Sequence, residues 1–192
     1  MLLCIRNRQK TFFIHIIGLP TKLADDEAVF VVSGSMPNTK STPLVDEWFC
    51  LRYKDGIYQG VMTMNEMVQR TGLRGAPIPN TNAVTEEVIQ LSEVLLDEVV
   101  DRAKDYLHSK YLAYQERMNP LLDEEVDKLI ELQNKHHQYY QMTLFEQERK
   151  LEQKERSIDE LFERFIAWVT DTLTIQNNPY IRIAAVLTGV AQ

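Results

Sequence analysis

Cysteine is nearly missing from this chain: Cys4 and Cys50 are its only two, and neither sits in a CxxC or a Cys/His ligand spacing. That excludes a disulfide scaffold, suits a reducing compartment, and leaves both thiols as small core hydrophobes. Glycine and proline are scarce as well, 7 of each among 192 residues, which excludes collagen-like and low-complexity chains. No apolar run approaches the about 18 residues that span a bilayer. The opening segment MLLCIRNRQKTFFIHIIGLP is divided by charged residues into apolar pieces too short for a signal peptide. The expected location is the cytoplasm, with no membrane partner. Also absent are a GxxxxGK[ST] phosphate loop, a GxGxxG turn, HExxH and GxSxG. The reading is therefore of a chain that is not itself an enzyme, with no catalytic residue, cofactor or metal assigned.

What is present is a globular composition, 44% hydrophobic and 26% charged, with 28 Asp+Glu against 21 Lys+Arg. The charge divides unevenly. Residues 1–80 hold 9 basic and 7 acidic side chains, a net +2, whereas residues 81–192 hold 12 and 21, a net −9.

The first part reads as an antiparallel sheet of short strands, Phe12–Ile17, Ala28–Val32, Trp48–Tyr53 and Ile57–Met62, with turns at 18–20, 33–38 and 54–56. Asp55-Gly56 supplies the positive φ angles of a tight hairpin. Its register puts Trp48, Cys50 and Arg52 on one face and Phe49, Leu51 and Tyr53 on the other, both covered in part. A short helix follows over 63–70, closed by Gly72.

From Thr85, a hydroxyl cap ahead of two acids, the period becomes helical: Val88, Leu91, Leu95, Val99, Ala103, Tyr106 and Tyr114 form one stripe to about Met118. At about 1.5 Å per residue this is a rod of roughly 50 Å. Asn119-Pro120 is expected to end it and start a second helix that runs to about Ile175; Ser157–Glu160 fits either a capping box at a break or the interior of an uninterrupted helix. The stripe thins between His136 and Arg156 into a solvated coiled-coil arm. Leu161, Phe162, Phe165, Ile166, Trp168 and Val169 then form a denser face that should pack on the main body. Residues 180–187 have the β-branched content of a last strand, expected to rejoin the sheet.

The predicted architecture is α+β: a small, mostly antiparallel sheet (1–80), a long antiparallel helical hairpin with a packed last helix (81–176) and a returning strand (177–192), as one structural domain. His136-His137, near Glu131, is the best metal candidate, but adjacent residues diverge by about 100° on a helix and cannot share a tetrahedral site alone. His15 and His108 are lone histidines. Tyr106, Tyr111, Tyr114, Tyr139 and Tyr140 either fill the hairpin seam or stack on a partner. With Arg52 and Lys54 they make the candidate interaction surface. Phosphate contacts to DNA would need Arg6, Arg8, Lys10, Arg52, Lys54, Arg70 and Arg74, a scattered set.

The order TPLVDEWF (42–49), a turn, a short helix, long acidic helices with NPLLDEEVDKL (119–129), and NPYIRIAAVLT (178–188) resembles the C-terminal region of bacterial Swi/Snf-type helicases, a group that includes RNA-polymerase-associated and phage-defence ATPases. The resemblance covers about 150 residues and contains none of the motor motifs. It implies a non-catalytic accessory domain of an ATP-dependent DNA helicase or translocase, docking on its motor domains or on a polymerase-like protein, with DNA reached through the parent protein. A second expectation is an independent coiled-coil adaptor that homodimerises through its hairpin. A small hydrolase with an unrecognised site is the third.

Overall fold

A computed structural model describes residues 12–16, 23–24, 26–73, 86–143 and 148–189. The elements are β1 (Phe12–Ile16), β2 (Glu27–Pro37), β3 (Pro43–Lys54), β4 (Ile57–Thr63), α1 (Met64–Thr71), α2 (Glu86–Thr143), α3 (Glu148–Leu173) and β5 (Tyr180–Gly189). The fold is mixed α+β. The sheet order is β1-β5-β2-β3-β4, with β1 parallel to β5 and the other four strands antiparallel. Among the described residues no helix is long and apolar enough to cross a membrane.

These residues form two compact units. One holds the sheet, α1 and α2 as far as Lys110; the other holds residues 37–44, α2 from Tyr111 onward and α3.

In the sheet unit, Asp55 (φ 49°) and Gly56 (φ 73°) make the β3–β4 turn, as an Asp-Gly pair should. The expected alternation holds: Phe49, Leu51 and Tyr53 are buried on one face and Cys50 on the other. On the first face lies α2. Phe49 meets Tyr106 at 4.3 Å between ring centroids, and Gly34 lies beneath Leu107. Val99, Ala103 and Leu107 of that helix stripe are fully buried. On the other face, Val29, Val31, Cys50 and Leu187 form a cluster with Met67 of α1. Cys50 is a packing residue, as expected, and burial pushes its thiol up to about 12. Tyr53 stands edge-on to Phe30 at 5.4 Å, and its buried hydroxyl has no hydrogen-bond partner among the described residues.

α1 is closed at both ends by its own sequence. Thr63 Oγ1 accepts from the Glu66 N–H while the Glu66 carboxylate accepts from the Thr63 N–H, and Gly72 takes the left-handed conformation after the last turn.

Two expectations are corrected, and one open alternative is decided. The Ser-Gly-Ser-Met-Pro stretch from 33 to 37 is strand, because Gly34 sits in ordinary extended backbone and serves to admit Leu107. The turn lies beyond it, where the Asn38 side-chain oxygen Oδ1 accepts from the N–H groups of Lys40 and Thr42 at 2.9 Å each. Asn119-Pro120 does not end the helix: α2 passes through it. Proline removes one N–H, but Glu116, whose carbonyl it leaves unpaired, is exposed and open to water, so continuing costs less than two new helix ends. Of the two readings of Ser157–Glu160 the helix-interior one holds: Ser157 lies inside α3, and the apolar phase through Ile158 and Phe162 is unbroken. The Thr85 cap and Leu144 lie outside the described residues.

In the helical unit, α2 and α3 pack antiparallel. Tyr114 Oη donates to the Leu173 carbonyl at 3.0 Å, the His136 ring meets Phe162 at 5.8 Å, and Lys154 lies over Tyr140 at 5.3 Å, so partners ascend one helix as they descend the other.

The last strand rejoins the sheet, as the sequence suggests. It enters between β1 and β2 rather than at an edge, and an extra residue, Ala184, is inserted where Val31 pairs with Ala185 but Val32 with Ile183.

Candidate interaction surface

α3 carries more apolar side chains than one seam can take. Phe162 is buried against α2, while Leu161, Phe165 and Trp168, at i, i+4 and i+7, stand on a second face with 44%, 49% and 59% of their surface exposed. The dense 161–169 face expected to pack is thus only partly packed: a helix of this amphipathic width buries one stripe and leaves the other outside.

Trp168 is held in place. Lys40, from the β2–β3 turn, lies 5.4 Å from the Trp168 ring centroid and donates through Nζ to Thr172 Oγ1 at 3.3 Å. Thr39 Oγ1 donates to the Asp171 carbonyl, and Asn38 Nδ2 to that of Thr172, both at 3.0 Å. The turn is tied to the last helical turns, where carbonyls lack intrahelical partners. A large aromatic ring, exposed yet oriented, is the kind of side chain that dominates binding energy in protein interfaces.

The seven sequence candidates are not gathered on one surface. Arg52 is on the α1 face of the sheet and Tyr106 on the opposite face, half-buried against Phe49 with Lys110 over its ring at 5.2 Å. Lys54 pairs with Asp26 at 3.7 Å. Tyr114 is a seam residue, Tyr111 and Tyr140 are half-buried, and Tyr139 is exposed with its ring edge against Tyr140. Sequence reasoning passed over Leu161, Phe165 and Trp168 as an exposed set. The available signal was the width of the apolar arc itself, too broad for one neighbour.

The adjacent histidines take separate partners. His137 Nε2 lies 2.8 Å from Asp159 Oδ1, which also accepts from Gln133 Nε2 at 2.6 Å. The hydrogen bond from Gln133, then that with His137, holds the Asp159 carboxyl below its usual range. A depressed carboxylate stabilises the fold above its unfolded pKa of about 4, and this contribution is lost as pH falls through the native value. Asp159→Asn should therefore lose the acid-side part of the helical unit's pH dependence, read as the difference between variant and wild-type melting curves by circular dichroism from neutral to acid pH. Parallel curves would mean that the carboxylate contributes nothing.

No protein-family model, curated protein or solved structure matches this chain.

Proposed function

We propose that this chain is a non-catalytic interaction domain, accessory to a Swi/Snf-like ATP-dependent DNA translocase, and that it docks on the motor domains through the second apolar face of α3. The observation that carries the reading is the exposed Leu161, Phe165 and Trp168 stripe, with Trp168 fixed by Lys40. An isolated exposed leucine needs no explanation, but an oriented stripe over two helical turns is a candidate contact surface. The assignment to a translocase rests on the resemblance of the 42–49, 119–129 and 178–188 segments.

The test is to express the tagged chain in its organism of origin, cross-link, and identify what purifies with it in equal amount. The expected result is an ATPase bearing Swi/Snf motor motifs, cross-linked to α3, while the isolated chain turns over no ATP. Recovery of the chain as a self-associated dimer with no ATPase, cross-linked to itself through α3, would overturn the reading in favour of the coiled-coil adaptor.

A further inference from the structure

On the α1 face of the sheet unit, a cleft of about 610 Å³ opens between β4 and α1, with Arg52, Gln59, Glu66, Gln69 and Arg70 among its walls. Beneath it, Glu27 at the start of β2 is only 5% exposed. A carboxylate so buried needs a cation, and Arg70 supplies one completely: its Nε donates to Oε1 at 3.0 Å and its Nη2 to Oε2 at 3.2 Å, a two-point pair. Arg52 is a second guanidinium beside the same carboxylate, with Nε 3.9 Å from Oε1, too far for a hydrogen bond. Arg52 is thus surplus to the neutralisation of Glu27, and among the described residues its N–H donors are unmatched.

The remaining acid in the wall is Glu66. Its carboxylate accepts from Thr63 N–H at 2.7 Å and Thr63 Oγ1 at 2.9 Å, lies at the positive end of α1, and is held below its ordinary range by those bonds. It therefore stays ionised in the wall and opposes an anion in the cleft. The cleft is a concave site with two guanidinium groups over one satisfied carboxylate, Glu27, and a second carboxylate, Glu66, tied to Thr63 in the wall. Side-chain amides of Gln59 and Gln69 complete its walls, and the volume is far larger than a bare ion needs.

We propose that this cleft binds the phosphate group of a phosphorylated ligand, with Arg52 donating to the phosphate oxygens and the outer edge of Arg70 sharing the charge. Planar guanidinium forks match phosphate geometry, and Arg70, already fixed by Glu27, adds its charge with little loss of side-chain freedom. This inference is independent of the docking role of α3.

The experiment is calorimetric titration of the full chain with inorganic phosphate, a nucleoside 5′-monophosphate, the matching unphosphorylated nucleoside and a short single-stranded oligonucleotide. Saturable binding of the phosphorylated ligands, with none of the nucleoside, is expected. Arg52→Gln should weaken it about tenfold, one charge-assisted contact's worth. Glu66→Gln keeps the cap and removes the opposing charge, so it should tighten binding several-fold. Binding of the monophosphate and phosphate alone would identify a small metabolite, and equal loss of the oligonucleotide on Arg52→Gln would identify a nucleic-acid backbone as the source. Circular dichroism melts of both variants check that they fold. Absence of binding by every phosphorylated ligand, or wild-type affinity in Arg52→Gln, would overturn the proposal.

Discussion

Leu107→Ala is expected to lower the unfolding free energy by about 3 kcal/mol, the usual result of emptying a fully enclosed leucine site. Leu107 is fully buried where α2 crosses the sheet, and the strand residue under it is Gly34. The pair is a lock of complementary sizes. A methyl group built on Gly34 would lie 2.5 Å from Leu107 Cδ1 and 2.8 Å from Cδ2, well inside van der Waals contact. Gly34→Ala alone should therefore also destabilise, by about 1–3 kcal/mol of overpacking. The double variant is the informative one. The new methyl group occupies part of the space the leucine vacates, so the combined loss should fall short of the sum by at least about 1 kcal/mol. Urea unfolding of the four proteins measures this directly, and strict additivity would show that the helix and strand do not depend on each other at this point.

The second large effect is expected in binding rather than stability. Phe165→Ala and Trp168→Ala remove exposed side chains, so each should change the folding free energy by no more than about 0.5 kcal/mol. Against the partner, truncation of a central tryptophan typically costs 2 kcal/mol or more, about thirtyfold in affinity. If the proposed docking on a translocase holds, Trp168→Ala shows at least that loss in a titration against the purified ATPase. Lys40→Ala should show a smaller one, because it frees the ring without removing it. Unchanged affinity in the Phe165→Ala, Trp168→Ala double variant would place the contact elsewhere on the chain.

Local chemistry made much of the fold legible. Asp55-Gly56 specified a hairpin through two positive φ angles, and the alternation from Trp48 to Tyr53 assigned both faces of β3. Gly72 marked the end of α1, and the apolar run after Pro179 marked the returning strand. What stayed hidden depended on partners distant in the chain. The glycine at 34 looked like a turn because its reason, Leu107, lies beyond two further strands and a helix. Pro120 looked like a stop because sequence does not show that the carbonyl it orphans faces water. The site was less legible than the fold. Tyrosines that share one helical stripe were indistinguishable until burial separated Tyr114 in the seam from Tyr139 outside it. Arg52 and Arg70 looked scattered because Glu27, the residue that brings them together, lies on another strand.

The place of β5 has a consequence for the order of events during synthesis. Thr188 pairs with Ala28 and Ala185 with Phe12, so β5, an interior strand of the sheet, is made after both long helices. Until it emerges from the ribosome, β2 has an open edge built around Val29, Phe30 and Val31, and β1 has no neighbour of its own in the finished arrangement. Contacts of such sequence separation form slowly, and open apolar edges recruit other chains. Completion of this sheet therefore waits on a segment made after both long helices, and the growing chain is a natural client for holdase chaperones during the interval in which its helices exist and β5 does not.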